Sequence, residues 1–221
     1  MPSAKSTYKA VLFDLDGTLI NSLQDIADSM NRVLTANGFS IHDYDAYRFF
    51  IGRGLRNLVG NVLPETSKTE ENIENLFNDL MKDYAENCLR KTALYQGIPE
   101  LLDKLVERGL KITILSNKAD VFTKKIAAKL MNRWPLEIVL GSGGEIPRKP
   151  DPIGAFTICE MLGLSPKDFL YVGDTSVDMK TAIAAGMYGV GVTWGFRSRE
   201  ELVESGAKAI IDSPEELLHL L

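Results

Sequence analysis

Two aspartates placed two residues apart are the first candidates for chemistry in this sequence. Asp14 and Asp16 end a β-rich apolar run, and in extended backbone residues i and i+2 face the same side. Two such carboxylates suit a hard cation such as Mg²⁺, which binds one or two carboxylates together with phosphate oxygens. They also suit phosphoryl transfer, in which one carboxylate attacks phosphorus and the other passes a proton to the leaving oxygen. Gly17 lets the chain turn out of the strand and Thr18 caps or orients that turn, although a plain strand-to-turn Asp-Gly is the alternative interpretation.

Polar residues also follow a second strand-like run. Ser116 and Asn117 come directly after the segment 111–115, which reads KITIL. A hydroxyl and backbone N–H groups at a strand-to-helix turn are suitable donors to a phosphate. Taken alone, Ser-Asn before a helix is equally an ordinary N-terminal cap.

A lysine and two further aspartates complete the set of candidates. Lys149 lies in a loop with three prolines over six positions, GEIPRKPDP, so its direction is restricted and its ammonium can neutralise a phosphate and a carboxylate. Asp174 and Asp178 follow the run FLYV and stand one helical turn apart, so both can point to one site. The alternatives are a solvated lysine in a turn and acidic residues that cap a helix.

The elements that must position these residues alternate along most of the chain. Strands are predicted at 9–15, 111–115, 136–140, 169–172, 189–193 and 209–211. Helices are predicted at 98–108, 119–132, 152–162 and 176–185, with a short helix in the tail and a last helix from Pro214. This alternation predicts an α/β fold with a doubly wound parallel sheet, Rossmann-like, whose ligand lies beyond the carboxyl ends of the strands.

One block of the chain breaks the alternation. Between residues 21 and 90 the apolar positions keep helical spacing, with helices predicted at 22–37, 55–63 and 69–89 and no strand signal. We therefore expect a small all-helical insert after the first strand.

The motifs DLDGTL, SNK, KPDP and GDTSVD, in this order and spacing, resemble the four motifs of the haloacid dehalogenase superfamily. Within it, the sequence is most similar to the phosphoglycolate phosphatase group. The resemblance implies a discontinuous α/β core of residues 1–18 and 92–221, a helical cap domain of residues 19–91, and a Mg²⁺-dependent phosphatase acting on a small phosphorylated metabolite.

The resemblance also implies a role for each motif residue. Asp14 is the implied nucleophile and Asp16 the general acid and base, while Ser116 and Lys149 hold the transferring phosphoryl group. Mg²⁺ is bound by Asp14, Asp174 and the backbone carbonyl of Asp16. The implied supporting residues are Thr18, Asn117 and Asp178, the last acting on the metal's waters or on Lys149.

Substrate selection is expected to depend on the helical insert. Its Gly-rich turn carries Arg53 and Arg56, and by resemblance this turn faces the site when the cap closes. Arg53 or Arg56 could then pair with a second anionic group such as a carboxylate, and the alternative is two arginines on a solvated helix start. The first expectation is 2-phosphoglycolate. Pyrophosphate, a sugar phosphate or a nucleoside monophosphate are alternatives, and a phosphomutase, a dehalogenase and a non-catalytic receiver-type module are more distant ones.

Composition restricts the class of protein further. The chain has 221 residues with a net charge of −5 and no basic block, which disfavours nucleic acid as a partner. We expect no signal peptide, no membrane span, and a monomer or homodimer. Cys88 and Cys159 lie among apolar residues, as buried free thiols do, and this predicts a cytoplasmic location.

Overall fold

The computed structural model of the protein describes residues 8–221. Within this range six strands form one parallel sheet in the order β5-β4-β1-β6-β7-β8, and two short strands form an antiparallel pair. The strands are β1 (Ala10–Phe13), β2 (Ile20–Asn21), β3 (Ala93–Leu94), β4 (Lys111–Ala119), β5 (Leu136–Ser142), β6 (Phe169–Gly173), β7 (Tyr188–Val192) and β8 (Ala209–Ile211).

The helices lie between these strands. They are α1 (Leu23–Ala36), α2 (Tyr44–Phe50), α3 (Leu55–Val62), α4 (Glu70–Asn87), α5 (Ile98–Glu107), α6 (Asp120–Leu130), α7 (Ile153–Leu162), α8 (Ser176–Ala185) and α9 (Arg199–Glu204). Short 3₁₀ turns occupy Glu65–Ser67, Pro166–Asp168 and Pro214–His219. The last of these was predicted as an ordinary helix from Pro214.

Both faces of the sheet are buried, as its central strand shows. Successive side chains of a strand point to opposite faces, and in β1 Val11 and Phe13 belong to one hydrophobic cluster while Ala10 and Leu12 belong to the other. Helices α5 and α6 contribute to the first cluster, and α7 and α8 to the second. The predicted doubly wound α/β sheet is therefore confirmed.

The strand order defines where a ligand can bind. The chain moves from β1 to β4 and β5 on one side, then crosses back to β6 on the other side of β1. This reversal between β1 and β6 leaves a crevice at the carboxyl ends of those strands. Asp14 directly follows β1 and Asp174 directly follows β6, so both lie at this crevice.

Helices α1 to α4 pack against one another between β2 and β3. Helix α1 buries Ile26, Met30 and Leu34 on one stripe, as the helical spacing predicts. Helix α2 and the pair β2–β3 were not predicted. Strands of two residues carry no periodic signal, and α2 buries one residue, Tyr47, so it has no apolar stripe to detect. The division into a core and a cap domain stays a prediction.

A buried carboxylate connects the two ends of this helical block. Asp25, in the first turn of α1, accepts hydrogen bonds from the backbone N–H groups of Lys91 and Thr92, at 2.8 to 3.0 Å, and from the Thr92 hydroxyl at 2.7 Å. Asp25 is only 3% exposed. Its contacts fix the returning chain against the start of α1.

The remaining expectations about the chain concern its thiols and the membrane. Cys88 and Cys159 are both buried and form no disulfide, as expected. Across residues 8–221, every helix is too short or too polar to cross a bilayer.

Candidate active site

One pocket beyond the carboxyl ends of the central strands contains most of the predicted catalytic residues. The predicted residues that line it are Asp14, Asp16, Ser116, Asn117, Lys149 and Asp178. Residues of the helical block line it as well, namely Ile26, Ile51, Gly52, Gly54, Leu55 and Leu58. The pocket therefore combines a polar floor from the sheet with an apolar wall from the helices.

Asp14 and Asp178 share one ammonium group. The Nζ of Lys149 lies 2.6 Å from Asp14 Oδ1 and 2.6 Å from Asp178 Oδ1, and all three side chains are buried. Burial alone would lower the pKa of Lys149, but the charges of Asp14 and Asp178 outweigh it and raise that pKa. Lys149 is therefore a fixed positive charge beside the carboxylate predicted as nucleophile.

The loop that carries Lys149 is held by Asn117. Its side-chain oxygen accepts from the Lys149 N–H at 2.7 Å, and its amide donates to the Lys149 carbonyl at 3.1 Å and to the Gly52 carbonyl at 3.0 Å. Asn117 therefore connects β4, the lysine loop and the helical block, and it is not the helix cap that was the alternative. Strand β4 continues through Ser116 and Asn117 to Ala119, further than predicted, because Ala119 pairs with Ser142 of β5 after a shift in register.

A group of three buried carboxylates adjoins this lysine. Oxygen atoms of Asp14, Asp174 and Asp178 lie within 4.8 Å of one another. Burial, with the neighbouring Asp178 charge, raises the pKa of Asp174 to about 7, and burial also raises the pKa of Asp14 although Lys149 opposes it. Within the described part of the chain, Lys149 is the cation recorded in direct contact with this group.

This donor set fits a divalent cation. Carboxylate oxygens are the ligands that Mg²⁺ prefers, and clustered buried carboxylates are stabilised by added positive charge. Asp174 is held in place by Thr18, whose hydroxyl donates to Oδ1 at 3.1 Å, and by the N–H of Phe196, which donates to Oδ2 at 2.8 Å. Gly17 and Gly195 lie so close to Asp174 that a methyl group on either would overlap its side chain.

Asp178 also serves the helix that carries it. Its Oδ2 accepts from the hydroxyl and the N–H of Thr175, at 2.6 and 3.1 Å, as the acidic member of a capping box. Because its other oxygen accepts from Lys149, one side chain fixes both the start of α8 and the lysine. Asp178 therefore makes both the helix-capping contact and the contact with Lys149, and its supporting role in catalysis stays a prediction.

Asp16 lies in the same pocket and is held by two side chains. The hydroxyl of Ser22 donates to Oδ1, and the Nζ of Lys118 lies 3.0 Å from Oδ2. Neither partner was predicted, although Lys118 stands two residues after Ser116 in the same strand, so the period of a strand could have placed both on one face.

Lys118 is the main residue of the site that sequence reasoning missed. Its side chain is 2% exposed, and its ammonium donates to the hydroxyl of Tyr84 at 2.8 Å. Burial lowers its pKa, but Asp16 and Tyr84 outweigh that effect and raise it, so the side chain is charged. Tyr84 belongs to α4, far away in sequence, and nothing local could reveal this contact.

The two arginines expected to select the substrate lie outside the pocket lining. Arg56 is paired with Glu70 of the neighbouring helix α4, and its Nε lies 3.5 Å from Glu74. Arg53 lines a separate cleft with Phe49 and Arg197. Glu70 and Glu74 of α4 hold Arg56 outside the pocket. The structure therefore brings neither arginine to Asp14.

Comparisons with known proteins agree with this geometry. A family model for haloacid dehalogenase-like hydrolases matches residues 11–192. The chain is 34% identical over 188 residues to a phosphoglycolate phosphatase of Aquifex aeolicus, covering 85% of this chain and 86% of that protein. It is 30% identical to a phosphoglycolate phosphatase of Haemophilus influenzae, covering 97% and 98%. The crystal structure of a predicted phosphoglycolate phosphatase from Haemophilus somnus superposes with a TM-score of 0.91 at 27% identity, covering 98% and 99%.

Proposed function

The chain belongs to the haloacid dehalogenase-like hydrolases and is a phosphoric monoester hydrolase, and we propose that it releases phosphate from 2-phosphoglycolate with Asp14 as the nucleophile. The observation that carries the assignment of Asp14 is its contact with Lys149, 2.6 Å away, in a pocket that also contains Asp16. A carboxylate at the end of β1, beside a buried cation and a second carboxylate, meets the needs of attack on phosphorus.

In the first half of the reaction an oxygen of Asp14 attacks phosphorus and the bond to the ester oxygen breaks. Asp16 donates its proton to that departing oxygen, which leaves as the alcohol, glycolate. Lys149 and Ser116 bind the oxygens of the phosphoryl group, on which negative charge is spread during transfer. The phosphoryl group is then bonded to Asp14.

In the second half a water attacks the same phosphorus and gives its proton to Asp16. The bond between phosphorus and Asp14 breaks, which releases inorganic phosphate and restores both aspartates. Asp14, Asp174 and the backbone carbonyl of Asp16 would hold Mg²⁺. Asp178 adjoins Asp14 and Asp174 and would support the metal's waters or Lys149. When bound, Mg²⁺ supplies positive charge that offsets the carboxylates and the phosphate.

Asn117 and Thr18 act on this chemistry through their neighbours. Asn117 fixes the backbone N–H and carbonyl of Lys149, and Thr18 orients Asp174. A preorganised ammonium costs no reorganisation when charge develops on the phosphoryl group. The free, buried cysteines fit the proposed cytoplasmic location.

The test is phosphate release from a panel that contains 2-phosphoglycolate, pyrophosphate, sugar phosphates and nucleoside monophosphates. We expect a rate that depends on Mg²⁺ and is highest for 2-phosphoglycolate. Asp14→Asn should lower kcat by about 10³-fold or more because the nucleophile is lost, as is usual when a covalent catalyst is removed. The surface variant Asp79→Asn should keep the wild-type rate.

Three results would contradict the proposal. A wild-type rate on another ester far above that on 2-phosphoglycolate would replace the substrate. Near-normal activity of Asp14→Asn, or isomerisation of a sugar phosphate without release of phosphate, would remove the mechanism.

A further inference from the structure

We propose that Lys118 binds the carboxylate of the substrate and so selects a phosphate ester that carries a second anionic group. This inference rests on the proposed hydrolysis of 2-phosphoglycolate. It assigns to Lys118 a role that the chemistry above leaves open, since Lys149 is the lysine that faces the nucleophile.

Lys118 is a buried cation with donor capacity to spare. Its Nζ contacts Tyr84 Oη at 2.8 Å and Asp16 Oδ2 at 3.0 Å, and it lies 4.7 Å from the centre of the Tyr84 ring. An ammonium group has three N–H donors, and the polar contacts recorded within residues 8–221 engage two of them. Lys118 also lines the pocket that contains Asp14.

The position of the ester oxygen places the substrate's carboxylate near Lys118. The ester oxygen must touch Asp16, because Asp16 gives it a proton. In 2-phosphoglycolate a single methylene group joins that oxygen to the carboxylate. A cation in contact with Asp16 is therefore within reach of the substrate's second charge, which one methylene group separates from the ester oxygen.

Among the described residues that line the pocket, the other cation is Lys149, which is already paired with Asp14 and Asp178. Among the residues described, the helical block lines the pocket with Ile26, Ile51, Leu55, Leu58 and two glycines, none of them charged. A carboxylate buried against such a wall is strongly disfavoured unless a cation accompanies it. Arg56 pairs with Glu70 outside the pocket. Lys118 therefore has the role that was expected of the arginines, which is to bind the second anionic group of the substrate.

The competing explanation is that Lys118 only orients Asp16. Binding of phosphonates separates the two, because these compounds have no ester oxygen to protonate and are not hydrolysed. In 3-phosphonopropionate a methylene replaces the ester oxygen of 2-phosphoglycolate, and propylphosphonate has a methyl group where that molecule has its carboxylate. The ratio of their dissociation constants, measured by calorimetry with Mg²⁺ present, reports the carboxylate site alone.

For the wild type we expect 3-phosphonopropionate to bind about 10- to 100-fold more tightly than propylphosphonate, the range of a charge-assisted hydrogen bond. In Lys118→Met this ratio should fall to about 1, through weaker binding of the carboxylate compound. The exposed control Lys124→Met should keep the wild-type ratio. Lys118→Gln, which retains hydrogen-bond donors without the charge, repeats the test if the methionine variant unfolds.

A ratio that Lys118→Met and Lys118→Gln leave unchanged would overturn the assignment, as would an equal loss of affinity for both phosphonates. Failure of the proposed function looks different. In that case wild-type turnover of 2-phosphoglycolate would be no faster than that of 2-hydroxyethyl phosphate, which lacks the carboxylate, whatever the Lys118 variants do.

Discussion

Replacement of Gly195 by alanine should displace Asp174 and so disrupt the acidic group. A Cβ built on Gly195 lies 2.3 Å from Asp174 Cβ and 2.5 Å from the Gly17 carbonyl oxygen. Carbon atoms in contact are about 3.5 to 4.0 Å apart, so one neighbour must move by roughly 1.2 Å. Because the closest atom, Asp174 Cβ, is bonded to the main chain, the backbone that follows β6 must shift, and it carries the Asp174 carboxylate with it.

The expected cost follows from what Asp174 loses when it moves. Overpacking of this size costs about 1 to 3 kcal/mol, and each hydrogen bond to a charged group contributes about 1.5 to 3 kcal/mol. Asp174 accepts such bonds from Thr18 and from the Phe196 N–H. We therefore expect Gly195→Ala to lower the free energy of unfolding by about 3 kcal/mol, which is less than the sum of these contributions because Asp174 keeps part of its hydrogen bonding after relaxation.

The assay is urea unfolding followed by fluorescence, with chelator and with Mg²⁺. Gly195→Ala should be destabilised in both conditions and should lose most of the stabilisation that Mg²⁺ gives the wild type. The matched control is Gly60→Ala in α3, where the new methyl has Ile73 Cδ1 at 3.9 Å as its nearest contact. Alanine is the better helix former, so this variant should gain up to about 1 kcal/mol. Wild-type stability and an unchanged Mg²⁺ response in Gly195→Ala would show that the close contact with Gly195 does not hold Asp174 in place.

Three further predictions concern single carboxylates. Mg²⁺ should raise the thermal midpoint of the wild type but not that of Asp174→Asn, measured by calorimetry without substrate. Asp25→Asn should lower the free energy of unfolding by about 2 to 3 kcal/mol, because one amide oxygen cannot accept all the donors that converge on this buried carboxylate. Asp83→Asn should cost about 1 kcal/mol after allowance for solvent screening, since the charge and one of the two acceptors for Arg32 are lost. The Arg32 bonds lower the pKa of Asp83 in the folded state, so this contribution is full above the ordinary pKa of 3.8 and is lost only as the pH falls through the lower folded value.

Each of these predictions has a control or a contradicting result. A midpoint shift by Mg²⁺ that survives in Asp174→Asn would place the cation elsewhere. An Asp25→Asn protein as stable as the wild type would mean that the junction of the helical block is loosely held. For Asp83 the control is Asp79→Asn on the same helix, whose partner Lys82 is 80% exposed and whose loss should be negligible. The difference in free energy of unfolding between wild type and Asp83→Asn should stay constant between pH 8 and pH 5. A difference that already shrinks in this range would contradict the lowered pKa of Asp83 in the folded state.

The parts of the site that depend on strand ends were predictable from sequence. Asp14 and Asp174 follow short apolar runs, and parallel strands bring their carboxyl ends to one edge whatever the loops do. The positions of these residues therefore required only the alternation of elements, while their catalytic roles remain predictions.

The parts that depend on packing between distant segments were not predictable. Lys118 meets Tyr84 because the packing of α4 brings that hydroxyl to the end of β4, and Arg56 is held outside the pocket by Glu70 of the same helix. Contacts of this kind depend on how helices pack, which periodicity does not encode. The spacing of Ser116 and Lys118, two residues apart in one strand, does predict that their side chains share a face.

The short pair β2–β3 has a consequence for how this chain can vary. Ile20 pairs with Leu94 and Asn21 with Ala93, so the polypeptide leaves the sheet and comes back at neighbouring positions. The helical block therefore connects two neighbouring positions beside the sheet, as a tight hairpin turn would. The entropy of closing such a loop grows only with the logarithm of its length, so additions or deletions there change the sheet's stability little. Natural selection can therefore exchange the helices over the pocket while the aspartates that follow β1 and β6 keep their places.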